Sequence, residues 1–321
     1  MEEDYRSPLA HYFKARDLKE LLTKDFPPLE EFISPRVLWR GGKMLLAAPK
    51  KSGKSTFVQQ LALALTHNIK FFAPLYIPHK LKVLYMQMEM HEQIVQERGV
   101  PTGIVPNAGD IIVCSRPPLK LDNPDSLKLF KLFLTEIRPD VLILDPLYML
   151  HNQDENSAGE MQKVLDAIDS LIIEFDLGVI LVHHHRKDSQ LDGDDPTQKI
   201  RGTSKFTDWA DTTVTIKKTA NDTRTLFFEQ RRADRQSPEI TLKYNFDTLM
   251  YEVIGSQVDE EQYVLDSLPI LRSELIESMM QDLDMEEVKI ANCLKRLRRN
   301  NKISYEREGN RESTIIPWNG E

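Results

Sequence analysis

A short segment that combines lysine, glycine and serine is the clearest candidate for chemistry in this sequence. It reads APKKSGKS over residues 48–55, follows the apolar run MLLAA and precedes the helical pattern TFVQQLALAL. A loop between a strand and a helix presents backbone N–H groups and the positive end of the helix dipole to a phosphate. Gly53 would let the backbone approach closely, and Lys54 would neutralise phosphate oxygens. The predicted nucleotide-binding residues are Ala48, Pro49, Lys50, Lys51, Ser52, Gly53, Lys54, Ser55 and Thr56.

This loop departs from the usual pattern at its first position, where Ala48 stands in place of glycine. A Gly-Lys-Ser turn that only caps a helix is therefore the alternative interpretation. A second motif favours phosphate binding, because the apolar run at 141–144 ends in Asp145 and a buried strand has little other reason to end in a carboxylate. The Ser55 hydroxyl and the Asp145 carboxylate would hold Mg²⁺, so ATP and Mg²⁺ are the predicted cofactors.

The elements that must position these residues alternate between short apolar runs and helical patterns. This alternation predicts an α/β domain built around a mostly parallel sheet, with an antiparallel extension formed by the last four strands. The predicted strands lie at 44–47, 83–88, 111–114, 141–144, 179–182, 212–216, 226–229, 240–244 and 249–253.

Composition restricts the class of protein. The chain has 321 residues, 40% of them hydrophobic and 29% charged, which is typical of a folded globular protein. No apolar stretch is long enough to span a membrane, and the acidic start lacks the features of a signal peptide. Only two cysteines occur, Cys114 and Cys293, and their separation excludes a CxxC motif. We therefore expect a cytoplasmic protein without a membrane partner.

Three zones can be separated along the chain. Residues 1–35 form a lead-in segment, residues 36–255 form the α/β domain, and the charge pattern changes sharply at 259–321. In this last zone three helical patterns precede two short strands, an order that resembles a winged helix-turn-helix. Its third helical pattern is basic, while Val288, Ile290, Leu294 and Leu297 are expected to pack inward.

The segment from about residue 26 to residue 253 resembles the RecA-like P-loop ATPases, and most closely the hexameric replicative DNA helicases of broad-host-range plasmids and their phage relatives. The resemblance depends on five motifs in family order. They are APKKSGKS, VLYMQMEM, LILDPLYML with the following DENS, GVILVHHHRKD, and IRGTSKFTDWADTTVTI.

The resemblance implies catalytic roles for residues around the phosphate loop. Glu89 matches the carboxylate that polarises the attacking water, and His184 matches the sensor between the γ-phosphate and the DNA-binding loops. Arg232 is the first choice for the arginine that a neighbouring subunit contributes, with Arg231 as its rival, because the family's spacing is matched only in part. The alternative for Glu89 is a carboxylate that only caps a strand, and the alternative for His184 is an exposed strand end. The two arginines could instead be surface residues before a turn. The three consecutive histidines point to alternate faces and do not predict a zinc site.

Two regions are predicted to bind DNA. The resemblance places residues 151–160 and 187–205 in the central channel of a ring, and the second of these carries Lys187, Lys199, Arg201 and Lys205 alongside four aspartates. In the predicted winged helix the candidates are Lys295, Arg298, Arg299 and Arg307. The alternative for residues 187–205 is a solvated surface loop, and the alternative for the winged helix is a module that docks a protein.

The resemblance as a whole implies an ATP-hydrolysing, ring-forming helicase or translocase, hexameric and acting on single-stranded DNA in the replication of a plasmid, phage or mobile element. A primase or a replication initiator is the implied partner protein. The alternative is a regulatory or defence ATPase of the same fold that acts as a switch and whose winged helix binds DNA or a protein.

Overall fold

The computed structural model describes residues 9, 12–13, 15–67, 75–184, 205–220, 222–231, 239–256, 264–265, 267–282, 285–306 and 313–318. The chain divides into two compact units, residues 1–30 and 31–321. The described part of the first unit includes a short helix, α1 (Leu18–Thr23). It begins after Asp17, whose side chain accepts a hydrogen bond from the Glu20 amide. The second unit begins at Glu31, so its first strand falls inside the segment for which the sequence indicates only a lead-in.

The second unit is built on one large sheet. Its strands and those of a small hairpin are β1 (Glu31–Ile33), β2 (Leu38–Trp39), β3 (Lys43–Ala48), β4 (Val83–Gln87), β5 (Ile111–Ser115), β6 (Val141–Asp145), β7 (Gly178–His184), β8 (Thr212–Lys218), β9 (Thr223–Gln230), β10 (Ile240–Asn245) and β11 (Met250–Ser256). Within the described residues the sheet order is β11-β10-β9-β8-β3-β7-β6-β4-β5, and β1 pairs with β2. The predicted α/β class with a mostly parallel sheet is confirmed.

The predicted antiparallel extension is confirmed. Strands β8, β9, β10 and β11 pair antiparallel with one another in chain order. The extension joins the rest of the sheet through β8, which runs parallel to β3, with Met44 opposite Thr212. Strands β3 and β8 are neighbours in the sheet but far apart in the chain, as parallel pairing requires.

Helices cover both faces of this sheet. They are α2 (Lys54–His67), α3 (Glu92–Gly99), α4 (Pro124–Ile137), α5 (Ala158–Phe175) and α6 (Lys205–Trp209), with 3₁₀ turns at Val100–Thr102 and Leu147–Met149. One apolar core lies between α2 and the sheet, and a second lies between the sheet and α4 and α5. Strands β3, β4, β6 and β7 are almost entirely buried because both of their faces are covered, which explains their continuous apolar runs.

The C-terminal part has its own apolar cluster. Helices α7 (Arg272–Asp282) and α8 (Glu287–Arg299) accompany strands β12 (Ile270–Leu271), β13 (Ile303–Glu306) and β14 (Thr314–Pro317), which form a sheet of order β12-β14-β13. Ile290, Leu294 and Leu297 are buried as expected, but Val288 is 70% exposed. Val288 lies about 200° around the helix from Ile290, so the two side chains occupy opposite faces.

Among the described residues, no helix is both long enough and apolar enough to cross a membrane.

Candidate nucleotide-binding site

The carboxyl ends of four neighbouring parallel strands lie at the same end of the sheet. Ala48 ends β3 beside His184 at the end of β7, and Gln87 ends β4 beside Asp145 at the end of β6. In a parallel sheet this end is where loops collect and ligands bind. The residues that the sequence predicts for phosphate, magnesium and water activation therefore lie on neighbouring strands.

The turn after β3 has the backbone conformation of an anion cradle. Lys51 and Gly53 both have positive φ, 62° and 88°, and helix α2 begins immediately afterwards at Lys54. A side chain at residue 53 would be strained by its φ, and a Cβ there would lie 1.8 Å from the Tyr251 hydroxyl oxygen. Only glycine fits this position, and a turn of this kind that leads into a helix N-terminus is a common binding site for phosphate.

Lys54 is a buried lysine that contacts the last two residues of β7. Its side chain is 6% exposed, and its Nζ lies 3.3 Å from the His183 carbonyl oxygen and 3.2 Å from His184 Nδ1. Burial lowers the pKa of Lys54, and the negative charges of Asp145 and Glu89 oppose that shift. An anion placed beside the ammonium would restore the favourable environment that burial removes.

Asp145 is a buried carboxylate that accepts a hydrogen bond from the Tyr85 hydroxyl at 2.7 Å. Burial raises the pKa of Asp145, while Lys54 and the Tyr85 hydrogen bond oppose that change. A divalent cation would favour the ionised form, and the oxygen ligands offered by Asp145 and Ser55 are the kind that Mg²⁺ prefers. The residues present therefore fit a magnesium ion.

Glu89 is held in place by contacts from several directions. The Gln87 side-chain oxygen accepts hydrogen bonds from the Glu89 amide, at 2.8 Å, and from the Met90 amide. Arg116 Nε donates to the Glu89 carbonyl oxygen at 2.8 Å, and the Tyr148 hydroxyl donates to the carboxylate. Burial, followed by this hydrogen bond, raises the pKa of Tyr148 to about 12, so the hydroxyl stays a donor across the physiological range. The carboxylate is thus oriented at the mouth of the cavity.

Lys54, Glu89 and the phosphate turn line a cavity of about 500 Å³, a size within the range of small-molecule sites. Its lining residues are Pro49, Lys50, Lys51, Gly53, Lys54, Ser55, Thr56, Glu89, Arg98, Tyr148 and His184. Asp145 is buried and is not among the lining residues. Of the predicted nucleotide-binding residues, Ala48 and Ser52 are buried and are not among the residues that line the cavity.

Sequence reasoning missed Arg98 and Tyr148. Arg98 lies near the end of α3, and its Nη1 is buried without a hydrogen-bond partner in the described part of the chain. Its positive charge also acts on Asp145. The only available signal was a basic residue on the helix that follows Glu89, and nothing in the pattern of α3 indicates which way that residue points.

His183 and His184 point in different directions, as strand alternation predicts. His183 is 1% exposed, with its ring centroid 4.7 Å from that of Phe206 and its Nδ1 3.9 Å from Glu155. His184 lies in the cavity, contacts Lys54 and has its ring centroid 5.5 Å from that of Tyr148. The chain that follows His184 leads directly into the predicted DNA-binding segment.

Arg231 lies at the opposite end of the sheet, where the parallel strands begin. It follows the last residue of β9, its amide donates to the Asp211 carbonyl at 2.9 Å, and its guanidinium donates to the Asp208 carbonyl. Since β9 is antiparallel to β8, its start lies near the phosphate turn and its end lies about 23 Å away. Arg231 therefore cannot reach the cavity of its own chain. Arg232, the first choice for this role, lies outside the described residues.

The predicted DNA contacts are described only in part. Lys205 begins α6 and its Nζ donates to Gln162 at 2.8 Å, whereas Lys187, Lys199 and Arg201 lie outside the described residues. On α8, Lys295, Arg298 and Arg299 are exposed, and Arg298 lies 5.3 Å from the Tyr305 ring centroid. Arg307 also lies outside the described residues.

Comparison with known proteins gives a family and a fold. A family model described as an AAA domain matches residues 10–190, which is more than half of the chain. None of the curated proteins compared with the chain is similar to it in sequence.

Two solved structures are similar in fold. A DnaB-like replicative helicase, described with its interactions with primase, is 12% identical with a TM-score of 0.51, and the match covers 66% of this chain and 57% of the helicase. A KaiC-like protein from the hyperthermophilic archaeon Pyrococcus horikoshii OT3 is 14% identical with a TM-score of 0.47, covering 68% of this chain and 94% of that protein. The first of these supports the RecA-like P-loop architecture.

Proposed function

The chain belongs to the AAA domain family, as a RecA-like P-loop ATPase, and from that premise we propose that it is a ring-forming motor that moves along single-stranded DNA. We assign the ring six subunits and place the protein in the replication of a plasmid, phage or other mobile element. A primase or replication initiator would be its partner, as the similar helicase was described with primase.

The cavity residues divide the chemistry of phosphoryl transfer among them. The turn at 49–53 and Lys54 would bind the phosphates, while Ser55 and Asp145 would hold Mg²⁺. When bound, Mg²⁺ neutralises charge on the phosphates. Glu89, oriented by Tyr148, would accept a proton from the attacking water. Arg98 would stabilise charge on the transferred group, because its buried Nη1 has no described partner.

The contact between Lys54 and His184 is the observation that carries the motor proposal. The 3.2 Å contact joins the phosphate-binding lysine to the last residue of β7. A γ-phosphate would compete with His184 for the lysine, and its loss on hydrolysis would return the lysine to the histidine. Because the next residues of the chain form the segment proposed to bind DNA, each hydrolysis event can alter that segment.

The position of Arg231 supports a ring. Arg231 follows the end of β9, far from the cavity of its own chain. If it takes part in hydrolysis, it would act on the nucleotide of a neighbouring subunit, and we assign the same role first to Arg232, the next residue in the sequence. A closed ring gives every cavity such a neighbour.

A strand-displacement assay on forked DNA tests the motor proposal. We expect ATP-dependent unwinding by the native protein, stimulation of hydrolysis by single-stranded DNA, and loss of both in Lys54→Ala. Leu129→Ser is a suitable control, because this leucine is exposed on α4, away from the cavity. Hydrolysis without displacement or stimulation would contradict the motor and favour the regulatory switch.

A further inference from the structure

Arg224 is a buried arginine that touches the phosphate turn from outside the predicted motif. It is the second residue of β9 and is 7% exposed. Its Nε donates to the Ser52 carbonyl oxygen, and its Nη1 donates to the carbonyls of Ala220, at 3.1 Å, and Thr223, at 2.9 Å. The guanidinium is therefore fixed at both ends, and one end holds the backbone of the turn.

This contact determines the direction of a second backbone group. In a trans peptide the C=O and the following N–H point in opposite directions. With the Ser52 carbonyl directed at Arg224, the Gly53 N–H points away from Arg224, and Gly53 lines the cavity. Arg224 thus sets the orientation of a donor that a bound phosphate requires.

Tyr251 completes the support beneath the turn. Its hydroxyl lies against Gly53 and hydrogen-bonds with Arg224. Gln60 on α2 fixes its position, because Gln60 Nε2 donates to the Tyr251 carbonyl at 2.8 Å and Gln60 Oε1 accepts from the Tyr251 amide at 2.7 Å. Strands β9 and β11 of the antiparallel extension are thereby joined to the turn and to the helix that follows it.

We propose that Arg224, supported by the Tyr251 hydroxyl, is a positioning residue that holds the phosphate turn in its nucleotide-binding conformation before nucleotide arrives. The proposal rests on the proposed function, since it requires nucleotide to bind at this turn. It assigns to the antiparallel extension a part in nucleotide affinity that the phosphate motif alone does not contain. Arg224 acts through the backbone of the turn and does not touch the reacting atoms.

Equilibrium binding of fluorescent ADP to the full chain, combined with urea unfolding without nucleotide, tests this role. We expect Arg224→Ala to weaken ADP binding about tenfold and Arg224→Lys to recover most of the loss, because lysine keeps one cationic donor. Arg40→Ala is the matched control. Arg40 also holds a backbone carbonyl, that of Asp176 at 3.0 Å, and pairs with Asp140 at 2.8 Å, but it lies at the opposite end of the sheet. It should lose stability and keep its affinity for ADP.

The proposal is overturned if Arg224→Ala binds ADP within about twofold of the native protein, or if Arg40→Ala loses as much affinity. Should Arg224→Ala fail to fold, Arg224→Met, which keeps a long side chain without a donor, and Tyr251→Phe take its place, and native affinity in both would overturn it equally. If the native chain itself binds no ADP, the proposed function fails as well. Native binding that is unaffected by these variants rejects the role of Arg224 alone.

Discussion

At the scale of single residues, the site contains charged groups that are buried before any ligand binds. Lys54 and Asp145 are both almost inaccessible, and the Arg98 Nη1 is enclosed as well. Burying such groups costs free energy that their mutual attraction repays only in part. A site of this kind is destabilising to the free protein and ready for a charged ligand.

The substitution Asp145→Asn should therefore separate stability from activity. Asparagine keeps an acceptor for Tyr85 but carries no charge, so we expect thermal stability without nucleotide to be equal to or above native at neutral pH. ATPase activity that depends on Mg²⁺ should fall at least a hundredfold. Differential scanning fluorimetry and a phosphate-release assay measure the two effects.

The pH dependence of the free energy of unfolding provides a second test of the environment of Asp145. Because burial raises the pKa of Asp145, the folded state binds a proton more tightly than the unfolded state. Stability contributed by this group is present at low pH and is lost as pH rises through the raised pKa. Lowering the pH from neutral towards the ordinary pKa of an aspartate should therefore stabilise the native protein more than Asp145→Asn. Equal responses would contradict the proposed environment of Asp145.

Arg98→Ala tests the cationic group that sequence reasoning missed. Its guanidinium lines the cavity, so its removal should lower kcat for ATP about tenfold to a hundredfold with a smaller change in ADP affinity. The neighbouring Glu97→Ala, on the same helix but exposed, is the matched control and should keep native kcat. Steady-state kinetics with both variants would reject the assignment if they behaved alike.

Sequence alone could predict Lys54 and Asp145 because each follows an apolar strand in a recognisable order. It could not predict Arg98 or Tyr148, because their roles depend on the direction of α3 and of the short turn after β6. These directions are set by tertiary packing, not by local residue pattern.

At the scale of elements, β9 connects two sites. Arg224 near its start touches the phosphate turn, and Arg231 follows its last residue at the far end of the sheet. A strand held at several points along a sheet is stiff, so it fixes the distance between its own cavity and the arginines proposed to reach a neighbour.

Mixing inactive subunits tests whether those arginines act on a neighbour. We expect Arg232→Ala and Lys54→Ala each to abolish turnover, Arg232→Ala with nearly native ATP affinity. A mixture of the two should recover part of the ATPase activity. The Arg232→Ala subunit keeps an intact cavity, and a neighbouring Lys54→Ala subunit can supply the missing arginine. Activity is measured after the two proteins are mixed under conditions that allow subunits to exchange.

The control mixture combines Lys54→Ala with Glu89→Gln. Both act within one cavity, so no subunit has a complete set and no activity should return. Recovery in this control, or no recovery with Arg232→Ala, would show that the arginine does not act between subunits. Arg231→Ala tested in the same way distinguishes the rival residue.

The outcomes of the predictions for the strands and for Val288 show where a local sequence pattern is sufficient to predict structure. The apolar runs of β3, β4, β6 and β7 specify buried strands because both faces are covered. The antiparallel extension could be predicted from its closely spaced apolar runs, whereas the parallel pairing of β8 with β3 could not, because a run of residues carries no information about which strand lies beside it. Val288 was assigned to the wrong face because apolar character was given more weight than angular position.

At the scale of the whole molecule, the C-terminal part has its own apolar cluster and a helix with an exposed basic face. Deleting residues 259–321 should leave ATP hydrolysis in the absence of DNA within about twofold of native and weaken DNA binding at least tenfold. Fluorescence anisotropy with a labelled oligonucleotide measures the binding. A truncated protein that folds but no longer hydrolyses ATP would show that this part contributes to the catalytic unit.

The central claim is that the turn around Lys54 binds the triphosphate and that Asp145 helps to hold its magnesium. A crystal structure of the protein with a nonhydrolysable ATP analogue and Mg²⁺ tests it most directly. We predict the phosphates inside the turn at 49–55, the metal near Ser55 and Asp145, and Arg98 directed at the terminal phosphate. Analogue bound elsewhere, or a turn that stays empty at saturating analogue, would contradict the account.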